Sequence, residues 1–142
     1  MEIKIDFLEE AETFLDSLED KAWLKIFADI RKTRMGIRGE WFKKMAGTNG
    51  IWEFRTLHNK THYRLFAFWH KTAEKQSLII CTNGLVKKTD KTPPGEIERA
   101  ERIKQAYLKW VKQISLNLTI GNHGNKNKIP EKERQKYGRV GD

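Results

Sequence analysis

One cysteine, Cys81, serves the whole chain, which excludes an internal disulfide and any zinc site built on several thiolates. No apolar run approaches the roughly 20 residues that a membrane-spanning helix needs. The opening Met1-Glu2-Ile3-Lys4-Ile5-Asp6 lacks the basic-then-apolar order of a secretory signal, so the sequence predicts a cytoplasmic protein. There is no glycine-rich phosphate loop, no His-Glu-x-x-His pair, no internal repeat, and no paired Asp/Glu arrangement suited to magnesium. Any phosphoryl chemistry therefore has to proceed without a metal. The 142 residues fit one domain with a short extension, and a 38% hydrophobic content suffices for a compact core.

What the chain has in excess is positive charge, and it is unevenly placed. The net charge is +9, yet residues 1–20 hold eight acids and one lysine (−7), leaving +16 on the remainder. Such a surplus points to a polyanionic partner, because phosphates attract basic surfaces at long range and release counterions on binding. The acidic start reads as a solvated helix face.

Hydrophobic spacing divides the chain. Ile3 and Ile5 alternate with polar residues in a first strand over residues 1–7, and Asp6 with Glu9 offers a capping box for a helix carrying Leu8, Ala11, Leu15 and Leu18. A second helix with Ala22, Trp23, Ile26, Phe27 and Ile30 stops near Gly36. From Trp41 the period becomes two: Trp41–Ala46, Ile51–Leu57, His62–Trp69 and Gln76–Val86 read as strands, the last with Cys81 in its buried centre as a core residue. After Pro93-Pro94-Gly95, residues Glu96–Lys112 form a helix with Ile97, Ala100, Ile103 and Tyr107 on one side. In the extension, residues 113–142, alternation of Ile114, Leu116, Leu118 and Ile120 predicts an added edge strand, followed by a flexible basic tail.

The chemistry centres on the hairpin of residues 51–69. A turn of two residues (Asn59, Lys60) or four (His58–Thr61) gives the same register: Leu57 faces His62 and Arg55 faces Arg64, with Trp52, Phe54, Leu65, Ala67 and Trp69 on the other face. Opposed arginines repel. They are explained by a phosphate held between them, which the planar guanidinium fork suits, or by pairing with Glu53 and other acids. Lys87-Lys88-Thr89-Asp90-Lys91-Thr92 forms either a backbone-tracking cationic loop or a solvated one. Lys43, Lys44 and Lys71 are similar but less specific basic positions. His58, His62 and His70 have side chains suited to proton transfer, and Trp41, Trp52, Phe66 and Trp69 to base stacking or to the core.

These segments resemble the HigB-like toxins of the RelE/ParE superfamily, a phage-derived group. Ile51-Trp52-Glu53-Phe54-Arg55 is similar to the family's Trp-Glu-Leu-Arg strand, with Phe54 in place of Leu, and Tyr63-Arg64-Leu65-Phe66 to its Arg-Ile-Phe strand. Lys87-Lys88-Thr89-Asp90-Lys91-Thr92-Pro93 matches its Lys-Lys-Thr-x-Lys-Thr-Pro signature, and the likeness spans about residues 1–110. The resemblance implies an α/β (α+β) fold, with two N-terminal helices and a C-terminal helix on a small, mainly antiparallel sheet. It also implies a ribosome-dependent mRNA endonuclease that needs no metal or organic cofactor, since the ribose 2′-hydroxyl attacks its own adjacent phosphate. It implies Arg55, Arg64, Lys87, Lys88 and His62 as catalytic residues, and Lys43, Lys44, Lys60, Tyr63 and Lys91 as contacts to RNA. It also implies a helix-turn-helix, HigA-like antitoxin, through which alone the protein would reach operator DNA. A gyrase poison of the ParE kind and a non-catalytic RNA-binding member are the competing expectations, because one scaffold serves several functions.

Overall fold

The computed structural model describes residues 2–72 and 77–119, together with the backbone of residues 139–140. The chain runs β1 (Lys4–Phe7), α1 (Glu9–Asp16), α2 (Asp20–Arg34), β2 (Phe42–Lys44), β3 (Trp52–His58), β4 (Thr61–Lys71), β5 (Ser77–Lys87), α3 (Pro94–Thr119) and β6 (Arg139–Val140). The six strands form one sheet in the order β2-β3-β4-β5-β1-β6. Among the described residues, β1 and β5 pair in parallel and the other pairings are antiparallel. This is the α+β architecture expected from the sequence.

Each face of the sheet is covered for a reason visible in the periodicity. On one face, Ala11 and Leu15 of α1 and Ala22, Ile26 and Ile30 of α2 pack on Phe54, Leu65, Ala67, Ile79 and Cys81. Burying each of the larger side chains contributes about 1.5–3 kcal/mol. On the other face α3 sets Ala100 against Ile51 and Phe66, and sets Ile103, Tyr107 and Leu108 against Phe68 and Ile80. That cover stops short of the end of the sheet where β3 and β4 carry their arginines. Among the described residues, no helix is long and apolar enough to cross a membrane.

The β3–β4 turn has two residues, Asn59 (φ 51°) and Lys60 (φ 62°), both left-handed as a type I′ hairpin requires. Arg55 therefore stands opposite Arg64, and Leu57 opposite His62. The β4–β5 ladder contains a bulge: Leu65 pairs with Gly84 but Ala67 pairs with Cys81, so β5 has one residue more than β4 in between. An extra residue reverses the alternation of everything beyond it. Ile79 and Cys81 face α1 and α2, whereas Leu85 and Lys87 face α3 and the arginines.

Three local expectations are corrected. Asp6 does not cap α1, because it lies within β1 paired with Ile80; Leu8 occupies the cap position without a side-chain bond, and Glu9, Glu10 and Glu12 complement the helix dipole instead. The strand Trp41–Ala46 shrinks to Phe42–Lys44. Residues 113–119, expected as an edge strand beyond a boundary at 112, continue α3. A strand needs a partner and a helix does not, and Gln113 donates to Asn117 one turn on at 3.4 Å. The tail does add an edge strand, but from residues 139–140 beside β1. Ile120 and the basic stretch after it lie outside the described residues.

Candidate functional site

At the end of the sheet left open by α3, the hairpin and the 88–93 loop bring a dense charge cluster together. Arg55 and Arg64 project from neighbouring strands on the same face as Glu53, and Lys87 joins them from β5 through the bulge. Asp90 closes the cluster from the loop. Its Oδ1 accepts from Arg55 Nη2 at 3.1 Å and from Arg64 Nη2, while its carbonyl oxygen accepts from Lys87 Nζ at 2.6 Å and from Arg64 Nη2 at 3.3 Å. His62 Nδ1 lies 3.8 Å from the same carboxylate oxygen. Beneath, Glu53 spans both guanidiniums, 3.4 Å from Arg55 Nε and 3.6 Å from Arg64 Nε. Both of those nitrogens are buried and have no hydrogen-bond partner.

Burial sets the electrostatics. Arg64 is only 2% exposed. A guanidinium taken so far from water costs several kcal/mol unless anions compensate it. Its burial pulls its pKa below the usual arginine value, against the opposing charge of Glu53. Desolvation likewise pushes the Glu53 carboxyl above the usual carboxylate range, although Arg64 and Arg55 pull it down. Lys87 is lowered by burial and then by Arg64. Asp90 behaves oppositely: the hydrogen bond from Arg55 and the two guanidinium charges hold it below its ordinary value while its side chain stays 68% exposed. The arrangement is a pair of arginines flanked by the buried Glu53 carboxylate and covered by the Asp90 carboxylate on an exposed loop.

The other sequence candidates divide. Lys88 sits at the rim, with Nζ 3.4 Å from Thr61 Oγ1, and Lys91 is exposed on the same loop. Lys60 is exposed in the hairpin turn. Tyr63 is a correction: it points to the opposite face and is buried in the core under α1 and α2, so it does not reach the cluster. His58 leans towards Glu19 (3.5 Å), and His70 packs edge-on to Tyr107 with its pKa lowered by burial; of the three histidines considered, His62 alone joins the arginines. Cys81 is fully buried and its thiol is pushed far up by desolvation, in line with a core role. Trp41 and Phe66 are structural. Trp41 donates to Thr33 Oγ1 at 3.0 Å beneath the Lys32 ammonium, and Phe66 is fully buried. Lys43 and Lys44 lie on edge strand β2, exposed. Sequence reasoning missed Asp90 as the residue that bridges the arginines. The available signal was an acid embedded between the lysines of a loop that starts beside the second arginine strand.

The family model described as Phage derived protein Gp49-like (DUF891) matches residues 13–105, a segment that contains every member of the cluster. The chain belongs to this Gp49-like family. The resemblance to a phage-derived group seen in the sequence is thus borne out. A solved structure similar to the Gp49-like chain is that of an arginine-to-alanine double mutant of the E. coli toxin RelE in the free state. It is 19% identical, covering 63% of this chain and 86% of that one, with a TM-score of 0.44. No curated protein matches the Gp49-like chain.

Proposed function

We propose that this protein is the toxin of a type II toxin–antitoxin pair, a metal-independent endoribonuclease that cuts mRNA on the ribosome. The observation that carries the reading is the convergence of two guanidiniums from adjacent strands on a single carboxylate oxygen. A tetrahedral phosphate offers the same charge and better-matched acceptors. On substrate binding, the phosphate replaces the Asp90 carboxylate over Arg55 and Arg64, and the loop carrying Asp90 moves aside.

In that position the ribose 2′-oxygen attacks the adjacent phosphorus, and the bond to the 5′-oxygen breaks. A cyclic phosphate remains on one fragment and a 5′-hydroxyl on the other. The 2′-hydroxyl loses a proton and the departing 5′-oxygen gains one, so the protein must orient the linkage, stabilise developing charge and move two protons. Arg55 and Arg64 take the charge. Lys87, protonated and partly desolvated, stands beside Arg64 to stabilise the leaving oxygen or protonate it. His62 is at the rim, where an imidazole can accept the 2′-hydroxyl proton. Lys88 and Lys91 hold the flanking backbone. A helix-turn-helix antitoxin of the HigA kind would neutralise the protein and carry it to operator DNA.

Induction in cells followed by mapping of transcript ends tests the reading. Cuts inside translated frames are expected, and Arg64→Ala should abolish them while the purified variant still melts cooperatively. Intact transcripts alongside inhibited gyrase would reject it.

A further inference from the structure

A second groove lies on the opposite side of edge strand β2, beneath the end of α2. It encloses about 1150 Å³ and is walled by Phe42, Trp52 and Trp69. The aromatic wall is stepped. Phe42 stacks between Trp52 (5.0 Å) and Phe54 (4.3 Å), and Trp52 meets Trp69 edge-on at 6.1 Å. Trp69 remains 37% exposed at the mouth. Four cations line the same groove, Arg38, Lys43, Lys44 and Lys71, against one acid, Glu40, whose carboxylate is already paired with Lys43 at 3.1 Å.

Lys43 and Lys44 have a further property. Successive residues of a strand point to opposite faces, so Lys43 shares a face with Glu53 and Lys44 with Trp52. Both also line the smaller cleft, about 320 Å³, that contains Arg55 and Asp90. Edge strand β2 is therefore a positively charged ridge common to the arginine site and the aromatic groove.

We propose that this groove binds single-stranded RNA, as the continuation of the strand whose scissile phosphate sits over Arg55 and Arg64. The chain would cross the ridge at Lys43 and Lys44 and stack a base against Trp69. Stacking surfaces combined with backbone cations are how proteins hold unpaired nucleic acid without reading its sequence. A duplex is too stiff to turn over the edge of a sheet and presents no free base face. The inference rests on the endonuclease reading for the direction of the strand, not for the groove's chemistry.

Binding is separated from cleavage by a fluorescent RNA of about twelve nucleotides, the span of one such site, with every 2′-hydroxyl methylated so that it cannot be cut. With the full-length protein, Trp69→Ala is expected to weaken anisotropy-detected binding by about tenfold, and Trp69→Phe to retain most of it. Arg38→Ala should weaken binding and flatten the salt dependence by about 0.7 in log–log slope. Wild-type affinity in both Trp69→Ala and Arg38→Ala would overturn the groove, even if the protein cuts mRNA. Equal competition by duplex RNA would overturn it too. So would loss of a protein partner in Trp69→Ala with RNA binding unchanged, which would assign the groove to that partner. If no transcript is cut yet Trp69→Ala loses the oligonucleotide, the groove stands and the endonuclease reading fails.

Discussion

Asp90 is the residue on which the cluster turns. Two guanidiniums on adjacent strands repel one another, and Glu53, 3.4 and 3.6 Å from their Nε atoms, forms no hydrogen bond with either of those nitrogens. The Asp90 carboxylate supplies the close acceptor, yet its side chain is 68% exposed. Replacing it with asparagine removes an internal anion that a substrate phosphate must displace. Asp90→Asn should bind the methylated oligonucleotide several-fold more tightly in the anisotropy assay; weaker binding would make Asp90 a support for the arginines instead of an occupant of their site. Lys87 makes a separate prediction. Its useful form is the protonated one, so cleavage should be lost as pH rises through its pKa, and burial beside Arg64 sets that loss below the ordinary lysine value. A pH–rate profile whose alkaline limb disappears in Lys87→Arg would establish the role, and an unchanged limb would remove it.

Among the elements, β5 does most to assemble the site. Its bulge reverses the side-chain alternation between Cys81 and Leu85, and without it Lys87 would point at α1 and α2. Gly84, directly after the bulge, is required by packing: a Cβ there would lie 2.2 Å from the Phe14 ring of α1. Gly84→Ala should therefore destabilise the fold by about 1–3 kcal/mol, the usual cost of forcing a methyl into a filled space. The melting temperature measures this, and the double variant Gly84→Ala/Phe14→Ala should recover part of what the single variant loses, relative to Phe14→Ala alone. Independent losses that merely add would show that the ring is not the obstacle. The β3–β4 hairpin, by contrast, depends on local chemistry alone, because Asn59 and Lys60 suit the left-handed turn and two strands of period two follow from it.

For the molecule as a whole, charge is segregated by position in the chain and again by position on the sheet. The acids of the first 20 residues lie largely in β1 and α1, while Lys43, Lys44, Lys87, Lys88 and Lys91 come from β2, β5 and the 88–93 loop. Binding of single-stranded RNA should accordingly depend steeply on salt. If four phosphates are neutralised, affinity should fall by about fiftyfold between 50 and 200 mM monovalent salt, as counterion release predicts for single strands. An affinity that is flat across that range would mean the positive surface serves something other than a polyanion.

The sequence by itself determined the elements and the pairing of the two arginines, because both follow from short-range rules: turn length, a period of two or 3.6, and proline breaks. It misjudged residues 113–119, where alternation imitates a strand but no partner strand lies alongside among the described residues, and it counted Tyr63 among the RNA contacts although the same alternation turns it towards the core. Tertiary structure alone decided that Lys87 crosses to the arginine face, through one extra residue whose place no local pattern marks. It also decided that Asp90 folds back onto the guanidiniums. Such a contact joins residues 26 and 35 positions apart, and it compensates the burial of Arg64, which exists only once the sheet has closed around it.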